Sequence, residues 1–245
     1  MHQVRDTAII LRRKPFGEAD LLLTLYGQQS GKVTVIAKGA RRITSKLLGY
    51  TELFTIVSCQ IDTRGSIPIM SQVSHEQLFD GIFDNPRLYD RLHIIAELID
   101  KGTEEHEANL ALYRCLVSGM EELIRNPAPL TFAHFVYRIT NLLGFTPQLT
   151  VCAHCGEPIR PDDDLLWSEA HGGVVRCPSV GVSGTPLTLN ELKVLRYIAK
   201  GTVQQVAKLS VSRDFAARIE GLLLRHAQYA LDKDLVAARK TSERL

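Results

Sequence analysis

Two groups of residues in this 245-residue chain have types and spacings that could do chemistry. The first is Cys152-Ala153-His154-Cys155, followed by Gly156 and, 22 positions after Cys155, by Cys177. Cysteines two residues apart place two thiolates on one turn, where they can share a metal ion. A structural zinc site completes a tetrahedron with four ligands, commonly from two such pairs. Here the second pair is incomplete, because Val180 stands where Cys177-Pro178-Ser179-Val180 would supply the fourth cysteine. His154, His171 or a carboxylate among Asp162, Asp163 and Asp164 could fill that position, and His171, in the turn Ala170-His171-Gly172-Gly173, is the first choice. The competing reading is a knuckle without metal, held by hydrogen bonds and packing.

The second group is the run GKVTVIAKGARRITSK, residues 31–46. A strand pattern, with Val33, Val35 and Ala37 on one face, leads into a loop flanked by Lys38, Arg41, Arg42 and Lys46, and Gly39 lets another backbone come close. A row of cations beside an open backbone is what phosphates require, with arginine as a fork and lysine as a point charge. Arg12, Arg13 and Lys14, at the end of an earlier expected strand, extend that surface on charge alone. Sequence-independent binding of single or double strands, steeply salt-dependent, would follow. The alternative is a solvated turn that keeps an edge strand soluble. Aromatics for base stacking are few here: Phe16, Tyr26, Tyr50 and Phe54.

Other chemistries find no constellation. The sequence has neither a phosphate-binding G-x-x-x-x-G-K-[ST] loop nor a G-x-S-x-G nucleophile elbow. His134 and His226 fall on expected helices, where a packed or surface histidine is the simpler reading. Glu104, Glu105 and Glu107 read as a solvated charge run. Metal chelation at Asp162 to Asp164 by a nuclease is the remaining enzymatic reading, and a non-enzymatic protein is expected.

Charge distribution supports the basic run. The chain is +2 overall, but residues 1–50 hold nine basic and three acidic side chains, a net +6 that leaves −4 for the rest. This asymmetry points to a polyanion partner near the N-terminus. With 45% hydrophobic and 23% charged residues the composition is that of packed domains. No apolar run approaches a membrane span, the start lacks signal-peptide character, and an odd cysteine count argues against a disulfide framework. A cytoplasmic protein is expected, associated with the nucleoid if DNA is the partner. Cys59 and Cys115 read as buried structural cysteines.

Positioning these residues requires strands first and helices later. Val4–Arg12, Ala19–Tyr26, Lys32–Lys38, Leu53–Ile61 and Ser66–Val73 read as short strands without intervening helices, suggesting a small antiparallel barrel or sandwich, with a five-stranded OB-fold the economical candidate. Helical spacing then begins at Asn85-Pro86 and ends near Gly102. It resumes over Ala108–Arg125, and again after Thr131 as cap, closing at Gly144. Residues 150–186 interrupt the helices, with no strand assigned. Thr188 and Glu191 form a capping box for a helix ending at Gly201, a last helix runs from about Ser212 to Leu231, and the tail from Lys233 is expected to fray.

The stretch GEADLLLTLYGQQSGKVTVIAKGARRITSKL, residues 17–47, resembles the N-terminal signature of the bacterial RecO family of recombination mediators. It shows the Gly-Glu-x-Asp start, the Thr-Leu strand, the Gly-Lys turn and the Ala-Lys-Gly-Ala-Arg-Arg segment. Leu143-Gly144-Phe145-x-Pro147, then Cys152-x2-Cys155-Gly156, and Gly172-Gly173 before Cys177 resemble the same family further along. The resemblance implies an α+β chain: an N-terminal OB-fold β-barrel over 1–80, an all-α domain over 81–150 and 187–245, and a small zinc-finger-like insertion over 151–186. It implies binding of single- and double-stranded DNA and annealing of complementary strands. With RecR it implies helping to load RecA onto DNA coated by single-stranded-DNA-binding protein, whose acidic C-terminal tail the helical domain would receive. Lys38, Arg41 and Arg42 inherit a phosphate-contact role, whereas Arg12, Arg13, Lys14 and Lys46 rest on charge alone. One structural zinc on Cys152, Cys155, Cys177 and His171 is expected, and no nucleotide; Val180 departs from members that carry a cysteine there. A rival reading is a structural adaptor that docks RecR with weak DNA contact.

Overall fold

The computed structural model describes residues 3–47, 49–77, 79, 81–176, 182–232 and 235. Cys177, Val180 and all of the tail from Lys233 except Leu235 lie outside them. The chain is α+β, with an N-terminal β-sheet unit and a largely helical C-terminal part. By internal packing it divides into Met1–Val117 and Ser118–Leu245.

In the first unit, five strands run β1 (Gln3–Phe16), β2 (Asp20–Gly27), β3 (Gly31–Ala37), β4 (Ile56–Asp62) and β5 (Ile69–Gln77). β2 pairs antiparallel with β1 and β3, and β4 antiparallel with β1 and β5. β3 meets β5 in parallel at Ile36 and Ile69. β1 can serve two partners because it is 14 residues long and bulged. Its first half pairs with β4, its second half with β2, and the register shift between Ile10 and Arg12 bends the strand between them. The sequence reading ends β1 at Arg12; the strand instead continues to Phe16, so Arg12, Arg13 and Lys14 lie within the ladder.

Alternation places alternate side chains inside, most cleanly in β3, where Val33, Val35 and Ala37 are buried. Ala8, Ile10, Leu21, Leu23, Leu25, Ala40, Val57, Cys59, Ile61 and Met70 complete that core. The β2–β3 turn is locked from within by Asp6, buried in β1. Its carboxylate accepts from the amides of Thr7 (2.8 Å), Gln29 (3.1 Å) and Ser30 (2.8 Å) and from the Ser30 hydroxyl (2.6 Å). Gly31 has φ +65°, and a Cβ there would collide with the Glu107 carbonyl, so glycine is required twice over.

Helix α1 (Pro86–Gly102) starts as the sequence reading places it: Asn85 caps it by accepting from the Leu88 amide at 3.2 Å. Its buried Leu88, Leu92, Ile95 and Ile99 follow helical spacing, and it packs on β1. Helix α2 (Leu110–Arg125) begins two residues later than expected, because the Asn109 side chain accepts from the Leu112 amide at 3.0 Å.

The second unit holds α3 (Thr131–Leu142), α4 (Leu189–Lys200), α5 (Val203–Ala207) and α6 (Arg213–Ala230), with α3 packing against each of the other three. Thr131 is not the α3 cap: Leu130 holds that position, and the Thr131 hydroxyl donates to the Asn126 carbonyl at 3.1 Å. Thr188 and Glu191 do form the capping box of α4, and Ser212 caps α6. Between α3 and α4 lies a three-stranded antiparallel sheet, ordered β7 (Gly173–Arg176), β6 (Leu165–Ser168) and β8 (Thr185–Leu187). Trp167 on its central strand is fully buried.

Candidate nucleic-acid interface

The cationic residues converge through the ladder. Lys14 pairs with Leu22, and Leu22 with Ile36, two residues before Lys38. Two strand spacings, about 10 Å, therefore separate the Lys14 backbone from the end of β3. The loop after β3 is clasped to the β1–β2 turn. The Gly39 amide donates to Asp20 Oδ1 at 2.7 Å, and the Arg41 amide to the Ala19 carbonyl at 2.9 Å. The Arg41 guanidinium donates to the Gly17 and Glu18 carbonyls at 3.3 and 3.1 Å. Inside the loop, Arg42 N–H donates to Gly39 O and Ser45 N–H to Arg42 O, at 3.1 and 2.9 Å. Gly39, at φ +66°, makes the turn that lets this happen.

The seven cations singled out in the sequence then separate by partner. Arg12 lies 3.6 Å from Asp100, at the end of α1, and Arg13 is ion-paired with Glu52. Both charges are partly neutralised within the fold. Arg41 spends one nitrogen on carbonyls and remains exposed. Lys14, Lys38, Arg42 and Lys46 are exposed and face no carboxylate among the described residues. Nothing in sequence spacing revealed Asp100 or Glu52, which reach Arg12 and Arg13 only through tertiary packing. The acidic partners continue along β3: Lys32 lies 3.8 Å from Asp100 Oδ1, and the Thr34 hydroxyl donates to Glu105 at 3.0 Å. Glu105, read as part of a solvated run, thus covers the opposite end of β3 from the cationic loop.

Of the four aromatics noted for stacking, Tyr26 and Phe54 are buried, and Tyr50 is stacked on His75 with centroids 4.1 Å apart. Phe16 alone of the four counts as an exposed large apolar residue. Ile43, at the middle of the cationic loop, is 94% exposed; its sequence context, flanked by polar residues, gave no signal of a role.

The cysteine knuckle belongs to the second unit. Cys152 is buried and Cys155 exposed. The Gly156 amide donates to Cys152 O at 2.9 Å, and the Arg176 amide approaches Cys152 Sγ at 3.4 Å. Burial pushes the Cys152 thiol up, but the amides of Cys155, Arg176 and His154 and the Cys155 side chain outweigh it and hold the thiol below its ordinary range. His154 and His171 rings lie edge to face with centroids 5.0 Å apart, and His171 Nδ1 is 3.0 Å from the Ser168 hydroxyl. Asp163 is engaged otherwise, accepting from the Arg160 amide at 2.6 Å and lying 3.3 Å from Arg176. Among the described residues no three metal-ligating side chains cluster; Cys177, the third cysteine of the set, lies outside them.

Among the described residues no helix is long and apolar enough to cross a membrane. Comparison with known proteins gives two family matches: "Recombination protein O N terminal" over residues 1–79 and "Recombination protein O C terminal" over residues 87–238. The DNA repair protein RecO of Dehalococcoides mccartyi strain 195 is 28% identical over 236 residues, covering 95% of this chain and 92% of that protein. The DNA repair protein RecO of Roseiflexus sp. strain RS-1 is 30% identical over 233 residues, covering 94% and 82%. That of Heliobacterium modesticaldum is 31% identical over 178 residues, covering 71% and 65%.

Proposed function

The chain belongs to the recombination protein O family of DNA repair and recombination proteins, and on that premise we propose that it works by gripping nucleic-acid phosphates with one corner of its N-terminal unit. In this reading the five paired strands are an OB-fold barrel, and Lys14, Lys38, Arg41, Arg42 and Lys46 are its phosphate contacts. Arg12 and Arg13 contribute less, because Asp100 and Glu52 already answer their charge. The observation that carries the reading is a set of four exposed cations that face no carboxylate among the described residues: Lys14 on β1, and Lys38, Arg42 and Lys46 on the loop that Arg41 and Asp20 clasp to the neighbouring turn.

Such a surface binds single or double strands alike and anneals complementary ones: cations offset the repulsion between two backbones, and base pairing supplies the specificity. No bond is broken and no nucleotide is needed. With RecR the protein would help load RecA onto DNA coated by single-stranded-DNA-binding protein, receiving the acidic tail of that protein on its helical part.

The Cys152–Cys155 knuckle fits a structural zinc: amides aimed at Cys152 Sγ favour the thiolate that a metal requires. Cys152, Cys155, Cys177 and His171 would hold it, and the ion would brace the insertion.

The test is strand annealing and oligonucleotide binding by the full chain, wild type against Lys38→Glu/Arg42→Glu/Lys46→Glu, which spares the Arg41 clasp. Both activities should collapse in the variant while its thermal melt is retained. If annealing and DNA affinity survive and RecR binding fails, the chain is an adaptor and the reading is wrong.

A further inference from the structure

We propose that Phe16 and Ile43 contact the faces of unpaired bases, so that this corner distinguishes single-stranded from double-stranded nucleic acid; this rests on the phosphate-binding reading above. Phosphate contacts alone do not favour a single strand, because both forms present the same backbone groups and the duplex carries the denser charge. A device that does so must reach something only a single strand exposes, and the faces of its bases are apolar.

Isolated exposed apolar side chains are ordinary on protein surfaces. These two stand apart by position. Phe16, 40% exposed, immediately precedes Gly17, whose carbonyl accepts from Arg41; Ile43, 94% exposed, follows Arg41 by two residues. Both therefore flank the clasp that fixes the cationic loop to the β1–β2 turn. Ile43 is also held: the Gly39–Arg42 and Arg42–Ser45 hydrogen bonds and the Ser45 hydroxyl, which accepts from the Leu47 amide at 3.1 Å, define the loop around it. A fixed loop presents an apolar side chain to a ligand without ordering cost at the moment of binding. Cations close in sequence (Lys14 two residues before Phe16; Arg42 and Lys46 around Ile43) would bring a phosphate backbone alongside, with its bases free to turn toward the two side chains.

A duplex offers no such contact. Its base faces are covered by their neighbours and become available only after unstacking. The apolar pair should therefore strengthen single-strand binding and leave duplex binding unchanged.

The experiment compares the full chain, as wild type, Ile43→Ser and Phe16→Ser/Ile43→Ser, by fluorescence anisotropy on three probes: an oligo-dT, an abasic deoxyribose-phosphate strand of equal length, and a blunt duplex. Wild type should bind the dT strand about tenfold or more tighter than the abasic one, in line with base–side-chain stacking. The double variant should bind dT no better than abasic strand, with duplex affinity within about twofold of wild type and an unchanged salt slope. Ile43→Ser, at a site too exposed to support the fold, should already weaken dT binding about threefold. Equal wild-type affinity for dT and abasic strands overturns the proposal alone. So does an equal loss on all three probes, which marks a structural role, or a loss confined to the duplex, which marks a wedge. Failure of wild type to bind any probe overturns the phosphate-binding reading itself.

Discussion

Neutralising two of the unpartnered cations should flatten the salt dependence of single-strand binding by a definite amount. Five of the seven cations, Lys14, Lys38, Arg41, Arg42 and Lys46, face no carboxylate among the described residues and can meet phosphates, whereas Arg12 and Arg13 face Asp100 and Glu52. Each contact to a single strand contributes about −0.7 to the slope of log affinity against log salt, so five give about −3.5. Raising salt fourfold should then weaken wild-type binding by about 130-fold, against about 900-fold if all seven cations took part. Lys38→Gln/Arg42→Gln should reduce the slope to about −2.1, and Arg12→Gln/Arg13→Gln should leave it near −3.5. Anisotropy titrations of a fluorescent oligo-dT at four salt concentrations measure these slopes directly. A wild-type slope shallower than about −1.5, or an Arg12/Arg13 effect equal to the Lys38/Arg42 effect, would refute the partitioning of charge drawn from the fold.

Other expectations follow from individual contacts. Asp6→Ala removes the buried acceptor of three amides and a hydroxyl, and should cost about 3 kcal/mol in chemical denaturation, with Asp6→Asn milder. Gly31→Ala meets both a positive φ and the Glu107 carbonyl, and should cost at least about 2 kcal/mol, read as a lowered melting temperature. Burial lowers the pKa of His134 and His226, each opposed by a hydrogen bond to a carbonyl, from Ile198 and Phe145 respectively. The unfolded chain therefore takes up protons that the folded chain refuses: stability should be full above the ordinary histidine value of 6.5 and fall below it, by up to about 1.4 kcal/mol per pH unit for each histidine, until the folded values are reached. Denaturation midpoints at pH 7.5 and 5.5 should show this loss, and His226→Gln should diminish it. Metal analysis of the purified protein should find about one zinc per chain, and Cys152→Ser should abolish it.

Much of this architecture is written in local pattern. Period-two burial in β3, the Asn85 cap, the Thr188–Glu191 capping box and Ser212 could all be read directly, because each depends on neighbours in sequence. The strands β6, β7 and β8 could not. They are three or four residues long, too short for alternation to register, and are defined by their pairing. Helix α5 is only five residues long, too short for helical spacing to register, although Thr202 and Gln205 form a capping box that marks its start. Thr131 does not cap because it lies one position inside the helix, where Leu130 holds the cap and the Thr131 hydroxyl donates to the Asn126 carbonyl instead of accepting from a helix amide. For the interface, charge count located the cationic corner but could not rank its members. That ranking depends on Glu52, 39 residues from Arg13, and on Asp100 at the far end of α1, contacts that only folding creates. The exposure of Ile43 and the clasp from Arg41 to Gly17 and Glu18 were likewise invisible without the turn geometry.

The central claim is that the free cations of the first unit, and not lysines elsewhere, hold the nucleic acid. Lysine footprinting by reductive methylation, with and without saturating oligo-dT at low salt, tests it most directly. Lys14, Lys38 and Lys46 should be protected by the oligonucleotide, while Lys193 and Lys200, also exposed, on α4, should react as before. Protection of Lys193 and Lys200 with Lys14, Lys38 and Lys46 left reactive would contradict the account.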